Sequence, residues 1–319
     1  MIQTVLVTGA SGFIGRSVTG ALLRCGNVVV GLVRQPSTLE PGVQEWSVEP
    51  DDFRSLGTAW PESLRCDTVI HLAARVHLLD DAAADPLAAY RETNVAATLR
   101  VAEAARCAGA RRFVFVSSVK AIAEADPGHP LTETDKPDPR DPYGVSKLEA
   151  ERALSVFGRE SGLEVVIVRP PLVYGPGVRA NFLRLMSAIA KGVPLPLGAI
   201  DSRRSLLFVE NLADALVLCA TDPQAAGQTF HVTDGDDQSV SELARALALQ
   251  LGAPNRLLPV PVGVLRLAGR LTGRSMQVDR LIGELRLDIS HIRHILDWHP
   301  PHTVEVGLRK TVAWYRSTR

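Results

Sequence analysis

From Thr4 to Val168, short apolar runs alternate with stretches whose apolar positions recur at helical spacing. The runs fall near 4–8, 28–33, 44–48, 67–71, 112–116 and 164–168, and 85–108 is the longest of the helical stretches. Strands apolar at nearly every position are buried on both faces, so the alternation predicts an α/β fold with a doubly wound parallel sheet. After Pro170 the pattern loosens into mixed helices and short strands, with an extended segment over Gly192–Gly198. The expected organisation is a first domain over 1–170 and a smaller lobe over 171–319, with 205–232 returning to the main sheet. A proline-rich polar excursion from Glu124 to Pro142 breaks regular structure. A loop of that length inside a compact domain is usually functional, and it reads as a wall beside the segment it delivers. Ala82-Ala83-Ala84 is a helix-start composition.

The first apolar strand runs into Thr8-Gly9-Ala10-Ser11-Gly12-Phe13-Ile14-Gly15. Gly9 allows the tight turn out of the strand, Gly12 lets a phosphate approach the backbone, and Gly15 lets the helix pack on the strand. The N–H groups around Ser11, Gly12, Phe13 and Ile14 then face an anion at the positive end of the helix dipole. This predicts a Rossmann-type dinucleotide site.

A second motif is Tyr143-Gly144-Val145-Ser146-Lys147, opening a helical stretch from Val145 to Phe157. Residues four apart project from one helix face, and an ammonium beside a phenol lowers the phenol pKa from about 10. Such a pair can move a proton to or from an alcohol oxygen. Upstream, Arg112-Phe113-Val114-Phe115-Val116 is a strand ending in Ser117 and Ser118. Ligands of open α/β sheets bind at that end of the strands. Ser117 is expected to cap the loop, and Ser118 to hydrogen-bond the reacting oxygen.

With these motifs in order, the chain resembles the extended short-chain dehydrogenases/reductases over nearly its whole length. Val69-Ile70-His71-Leu72-Ala73-Ala74, Thr93-Asn94-Val95, Arg169 to Gly177 and Arg204 to Asp214 match further family segments. The resemblance implies a catalytic Ser118, Tyr143 and Lys147. It implies a cofactor held by Gly9, Ser11, Gly12, Phe13, Ile14, Gly15, Leu72, Ala73, Ala74, Asn94, Tyr143, Lys147 and Pro170. Val116 to Lys120 and Ala180 to Met186 are similar to the UDP-glucose 4-epimerase and C4-ketoreductase group of bacterial surface-polysaccharide pathways. That similarity implies Asn181 and Arg204, with Ser118, on a nucleotide-sugar substrate.

Two departures matter. Relatives end the second strand in an Asp that bonds the adenosine ribose, whereas this strand ends in Arg34 with no acid before Glu40. An arginine there suits a 2′-phosphate, which tilts the expected cofactor, NAD(P), from NAD toward NADP. The Arg-Pro-Gly-Asp segment that clamps uridine diphosphate in relatives is missing, and Arg274 and Arg280 are the candidate replacements.

Composition narrows the partners. Lys plus Arg and Asp plus Glu both number 35, so the zero net charge does not suggest nucleic acid or an anionic membrane. Cys25, Cys66, Cys107 and Cys219 form no Cys-x-x-Cys pair and read as small core residues. No run long enough to span a bilayer and no signal-peptide pattern occurs, so the expectation is a cytoplasmic chain without membrane insertion. A homodimer is expected on general grounds. His291, His294, His299 and His302 invite a metal reading, rejected because the helix, tryptophan and proline pattern there matches the family's C-terminal segment.

The first functional expectation is a C4-ketoreductase acting on a UDP-4-keto-6-deoxy-amino sugar of the UDP-N-acetylquinovosamine type. The alternative is an NAD-dependent UDP-sugar 4-epimerase of the UDP-glucose or UDP-GlcNAc type using the same residues. The last is a non-catalytic NAD(P)-binding regulator, which the intact Ser118, Tyr143 and Lys147 disfavour.

Overall fold

The computed structural model describes residues 2–76 and 84–318, so Ala82 and Ala83 of the helix-start composition lie outside the described residues. Among the described residues eleven strands occur: β1 (Thr4–Thr8), β2 (Val28–Val33), β3 (Gln44–Ser47), β4 (Thr68–His71), β5 (Arg112–Val116), β6 (Glu164–Arg169), β7 (Leu172–Tyr174), β8 (Arg203–Arg204), β9 (Leu206–Phe208), β10 (Thr229–His231) and β11 (Gln238–Ser239). Seven form one sheet in the order β10-β6-β5-β4-β1-β2-β3. Every neighbouring pair in it is parallel. Strands successive in the chain build outward from β1 on one side and from β4 on the other. The β1–β4 seam is therefore the topological switch point, where a crevice opens at the carboxyl ends.

Side-chain alternation divides the strands between two cores. Val5, Val7, Val114 and Val116 face one helical layer with Val18, Leu22 and Leu216. Leu6, Phe113 and Phe115 face the other, with Val101, Ala105 and Leu154. A third core holds the second half together around Tyr174, Phe182, Met186, Phe208, Leu247 and Leu308. Thr229–His231 returns to the main sheet and pairs with β6.

The stretch expected as one helix over 85–108 is three pieces. A helix Pro86–Arg91 and a helix Ala97–Cys107 flank a wide π turn, Glu92–Ala96. One extra residue in the turn swings Asn94 inward, where it meets partners that an unbroken α-helix would miss. The Tyr143 helix is longer than expected, Pro142–Ser161. Asp141 caps it through the Gly144 N–H at 2.7 Å, and Pro142 sits in the first turn, where its missing N–H costs nothing.

The Glu124–Pro142 excursion is stitched to a distant segment. Asp126 accepts from Arg286 Nε at 2.9 Å, Leu131 N–H donates to the Arg286 carbonyl at 2.8 Å, and Asp288 N–H donates to the Leu131 carbonyl at 2.8 Å. Leu131 and Leu287 pack together in a small buried cluster with Val119 and Ile122. Two of the histidines near the C-terminus hold polar contacts: His291 bonds Gln228 at 3.0 Å, and His302 meets Glu210 at 3.2 Å, while His294 and His299 are exposed. Cys66 and Cys219 are buried, but Cys25 and Cys107 end their helices in the open and are not core residues.

Candidate active site

The turn after β1 is shaped by what its glycines exclude. Gly9 has φ +69°, and a Cβ there would press to 3.1 Å on the Ala73 nitrogen. A Cβ on Gly15 would lie 2.2 Å from the Gly9 carbonyl oxygen, so helix and loop touch backbone to backbone. Gly12 caps the helix Phe13–Arg24 without a side chain, and no acid occupies its first turn. An anionic group fits this cradle, because the first-turn N–H groups lack intrahelical partners, no side chain caps them and no acid competes in that turn. Ser11 is exposed, and its carbonyl accepts from Arg16 Nε at 3.2 Å while Arg16 also reaches the Thr38 carbonyl at 2.8 Å. Arg16, unnoticed in the sequence, straps the glycine loop to the loop after β2. Arg34 follows β2 directly and is exposed.

Behind the loop runs a buried polar chain. The Thr98 hydroxyl donates to the Asn94 carbonyl at 2.8 Å, so it must accept from His71 Nε2 at 3.1 Å. His71 Nδ1 is then the acceptor for the Thr8 hydroxyl at 2.9 Å. Thr8 in turn accepts from the Leu72 and Ala73 N–H groups, both at 3.1 Å. Burial and the Lys147 charge push the His71 pKa down to about 3, so the ring stays neutral. Asn94 continues the chain: its amide donates to Ser146 at 3.0 Å, and Ser146 donates to the Tyr143 carbonyl at 2.8 Å. Its other contacts are the Arg75 N–H at 2.9 Å and the Arg75 carbonyl at 3.1 Å. Asn94 thus ties the end of β4, continuous with Ala74, to the Tyr143 helix.

Tyr143 and Ser118 meet across two elements. Ser118 caps a short 3₁₀ turn, Val119–Ala121, and the turn is pinned by Val119 N–H donating to the Pro170 carbonyl at 3.0 Å. A Cβ on Gly144 would sit 2.3 Å from the Lys120 carbonyl oxygen, so only glycine lets the Tyr143 helix come this close. Tyr90 packs edge-on against Tyr143 at 6.1 Å. Burial pushes the Tyr143 phenol up to about 12, with the nearby Ser118 hydroxyl opposing the rise and the Asp141 charge adding to it. This reverses the expected direction. Lys147 is itself buried, donates to the Val116 carbonyl at 2.8 Å and lies 4.5 Å from the Phe115 ring centre. Desolvation pushes its pKa down to about 7 against the pull of Glu151, so it is a weak source of positive charge for the phenol. Ser117, expected as a loop cap, is buried with no hydroxyl partner among the described residues.

A charged cluster closes the Tyr143 end. Lys120 bridges Asp141 at 2.5 Å and Glu124 at 3.4 Å, and Arg280 stands 3.6 Å from each of those carboxylates. Arg204 donates to the carbonyl oxygens of Arg280 and Gly283, at the end of the helix Ser275–Ile282. Its guanidinium is thus committed to backbone. Asn181 is exposed in the first turn of a different helix, Ala180–Ala190.

Comparison with known proteins places this geometry. Residues 5–233 match the family model described as the NAD dependent epimerase/dehydratase family. A relative from Vibrio cholerae named UDP-glucose 4-epimerase is 42% identical, covering 98% of this chain and 95% of its own. A GDP-6-deoxy-D-mannose reductase from Pseudomonas aeruginosa is 32% identical, covering 78% of this chain and 80% of its own. The solved structure of a Thermus thermophilus UDP-glucose 4-epimerase in complex with NAD superposes with a TM-score of 0.79 at 25% identity, covering 99% of this chain and 100% of that one. The glycine cradle, the seven-stranded parallel sheet and the family match lead to one conclusion: this chain belongs to the NAD dependent epimerase/dehydratase family.

Proposed function

We propose that the chain carries out NAD-dependent oxidoreduction at C4 of a UDP-sugar, with interconversion of C4 epimers as the net reaction. The observation that carries this reading is that Ser118 lies close enough to Tyr143 to oppose the rise of its phenol pKa, with Lys147 one helical turn on, in a chain 42% identical to a relative named UDP-glucose 4-epimerase. That relative moves the epimerase ahead of the ketoreductase, which leads on sequence grounds.

Gly9, Gly12 and Gly15 form the cradle that would hold a nicotinamide dinucleotide, whose chemistry when bound is reversible hydride transfer. Tyr143 would hold and move the proton on the C4 oxygen, and Ser118 would orient that oxygen. Lys147, one helical turn on the same face, would hold the nicotinamide ribose. Asp141, Gly144 and Asn94 are positioning residues: they fix the helix that presents Tyr143.

The C4-ketoreductase reading keeps one favouring observation, the exposed Arg34 after β2. If that guanidinium binds a 2′-phosphate, Arg34→Ala should weaken NADPH binding at least tenfold while NADH changes little. This follows from the roughly 1.5–3 kcal/mol of a charge-assisted hydrogen bond. Calorimetric titration with each cofactor checks it, and equal effects on both would remove the NADP preference. The reactions themselves separate in one assay. UDP-glucose and UDP-galactose interconverting without added cofactor supports the epimerase. Net NADPH consumption with a UDP-4-keto sugar, and no interconversion, replaces it with the reductase.

A further inference from the structure

Exposed large apolar side chains are concentrated in one place. Leu258, Val264, Leu267, Leu271 and Met276 all lie on or beside two consecutive helices, Val262–Leu271 and Ser275–Ile282. Val264 is 53% exposed, Leu267 57%, Leu271 79% and Met276 72%. At 3.6 residues per turn, Val264, Leu267 and Leu271 fall on one face. That face is not the one turned inward: Gly269 is buried against the second helix, where a Cβ would come within 2.8 Å of Val278. The neighbouring face carries Arg266 and Arg270, both exposed, and Arg274 stands exposed between the helices. Across 262–282 there are four arginines and one carboxylate, Asp279. The zero net charge of the whole chain conceals this local surplus.

We infer that this hairpin docks on the surface of an anionic phospholipid bilayer. An apolar face flanked by arginines suits a helix lying in the interfacial plane, with its aliphatic side chains among the acyl chains and its guanidinium groups at the phosphates. Attraction to the negative surface adds to the apolar burial, and neither term alone holds a helix this short. No helix among the described residues is long and apolar enough to cross a membrane, so the contact is peripheral. The second helix carries Arg280, which stands by the Asp141 cap of the Tyr143 helix. Docking would therefore hold the substrate end of the molecule against the bilayer. This inference goes beyond the C4 chemistry and stands whichever of its two net reactions occurs.

The test is flotation of the full chain with phosphatidylcholine vesicles, with and without phosphatidylglycerol. Binding is expected to be at least tenfold stronger to the anionic vesicles and to weaken as salt rises. Arg266→Glu with Arg270→Glu should lower the partition at least tenfold, and Leu267→Asp with Leu271→Asp should abolish it. All four positions lie outside the proposed machinery, so turnover on a water-soluble UDP-sugar should stay unchanged and report intact folding. No preference for anionic vesicles, or unchanged binding by either double variant, overturns the inference. So does a self-association that the leucine variant abolishes in the absence of vesicle binding, which would make a second copy the occupant.

Discussion

Tyr143→Phe should lower turnover by about 10²–10⁴-fold, the range for loss of a positioned acid–base group. Cofactor affinity and thermal midpoint should change little, because the ring contact with Tyr90 survives and only the hydroxyl facing Ser118 is removed. The measurement is steady-state turnover beside NAD binding on the same preparation. With the phenol pushed up to about 12 by burial, the group rests protonated, the form that follows uptake of the C4 hydroxyl proton and returns it in the second half of the cycle. A variant turning over within about threefold of the parent, far short of that range, would remove Tyr143 from the chemistry. Ser118 and Lys147 would then need another proton carrier.

Arg169→Met carries the second large effect, on stability. Arg169 and Glu151 form a two-pronged buried ion pair, with Nε–Oε1 at 2.9 Å and Nη2–Oε2 at 2.6 Å. Removing one partner strands a carboxylate where water cannot reach it, which costs about 3–5 kcal/mol. Removing both, with Glu151→Met added, should recover most of that loss, since an apolar pair of similar volume is often as good. Urea unfolding of the two variants decides it. A single variant within about 1 kcal/mol of the parent would mean that the pair does not hold the fold. Glu151 lies on the helix of Tyr143 and Lys147, so the pair anchors the end of β6 to the element that carries the proposed chemistry.

The sheet is legible in the chain because parallel strands buried on both faces read as unbroken apolar runs. Val28–Val33 and Arg112–Val116 need no partner to be recognised. The glycine loop is legible for a similar reason, since Gly9, Gly12 and Gly15 act on backbone within a single short turn. Other features depend on residues distant in sequence. The π turn at Glu92–Ala96 arises where Asn94 finds Arg75 and Ser146, and no periodicity announces it. Gly144 reads as filler between a tyrosine and a valine, and only the fold brings the Lys120 carbonyl against it. Spacing alone predicts that Lys147 depresses the Tyr143 pKa. Spacing carries no information about burial, and burial sets the direction for both groups. The commitment of Arg204 to Arg280 and Gly283 is equally hidden, because its partners lie 76 and 79 residues away.

The stitch between Asp126 and Arg286 spans 160 residues of chain. Translation proceeds at roughly 5–20 residues per second, so the two ends emerge on the order of ten to thirty seconds apart. Within that interval β6 is completed and the first six strands can pair, while the wall beside Tyr143 has nothing to fasten to. The scaffold can therefore set early, and the pocket wall closes only when residues made well after it arrive.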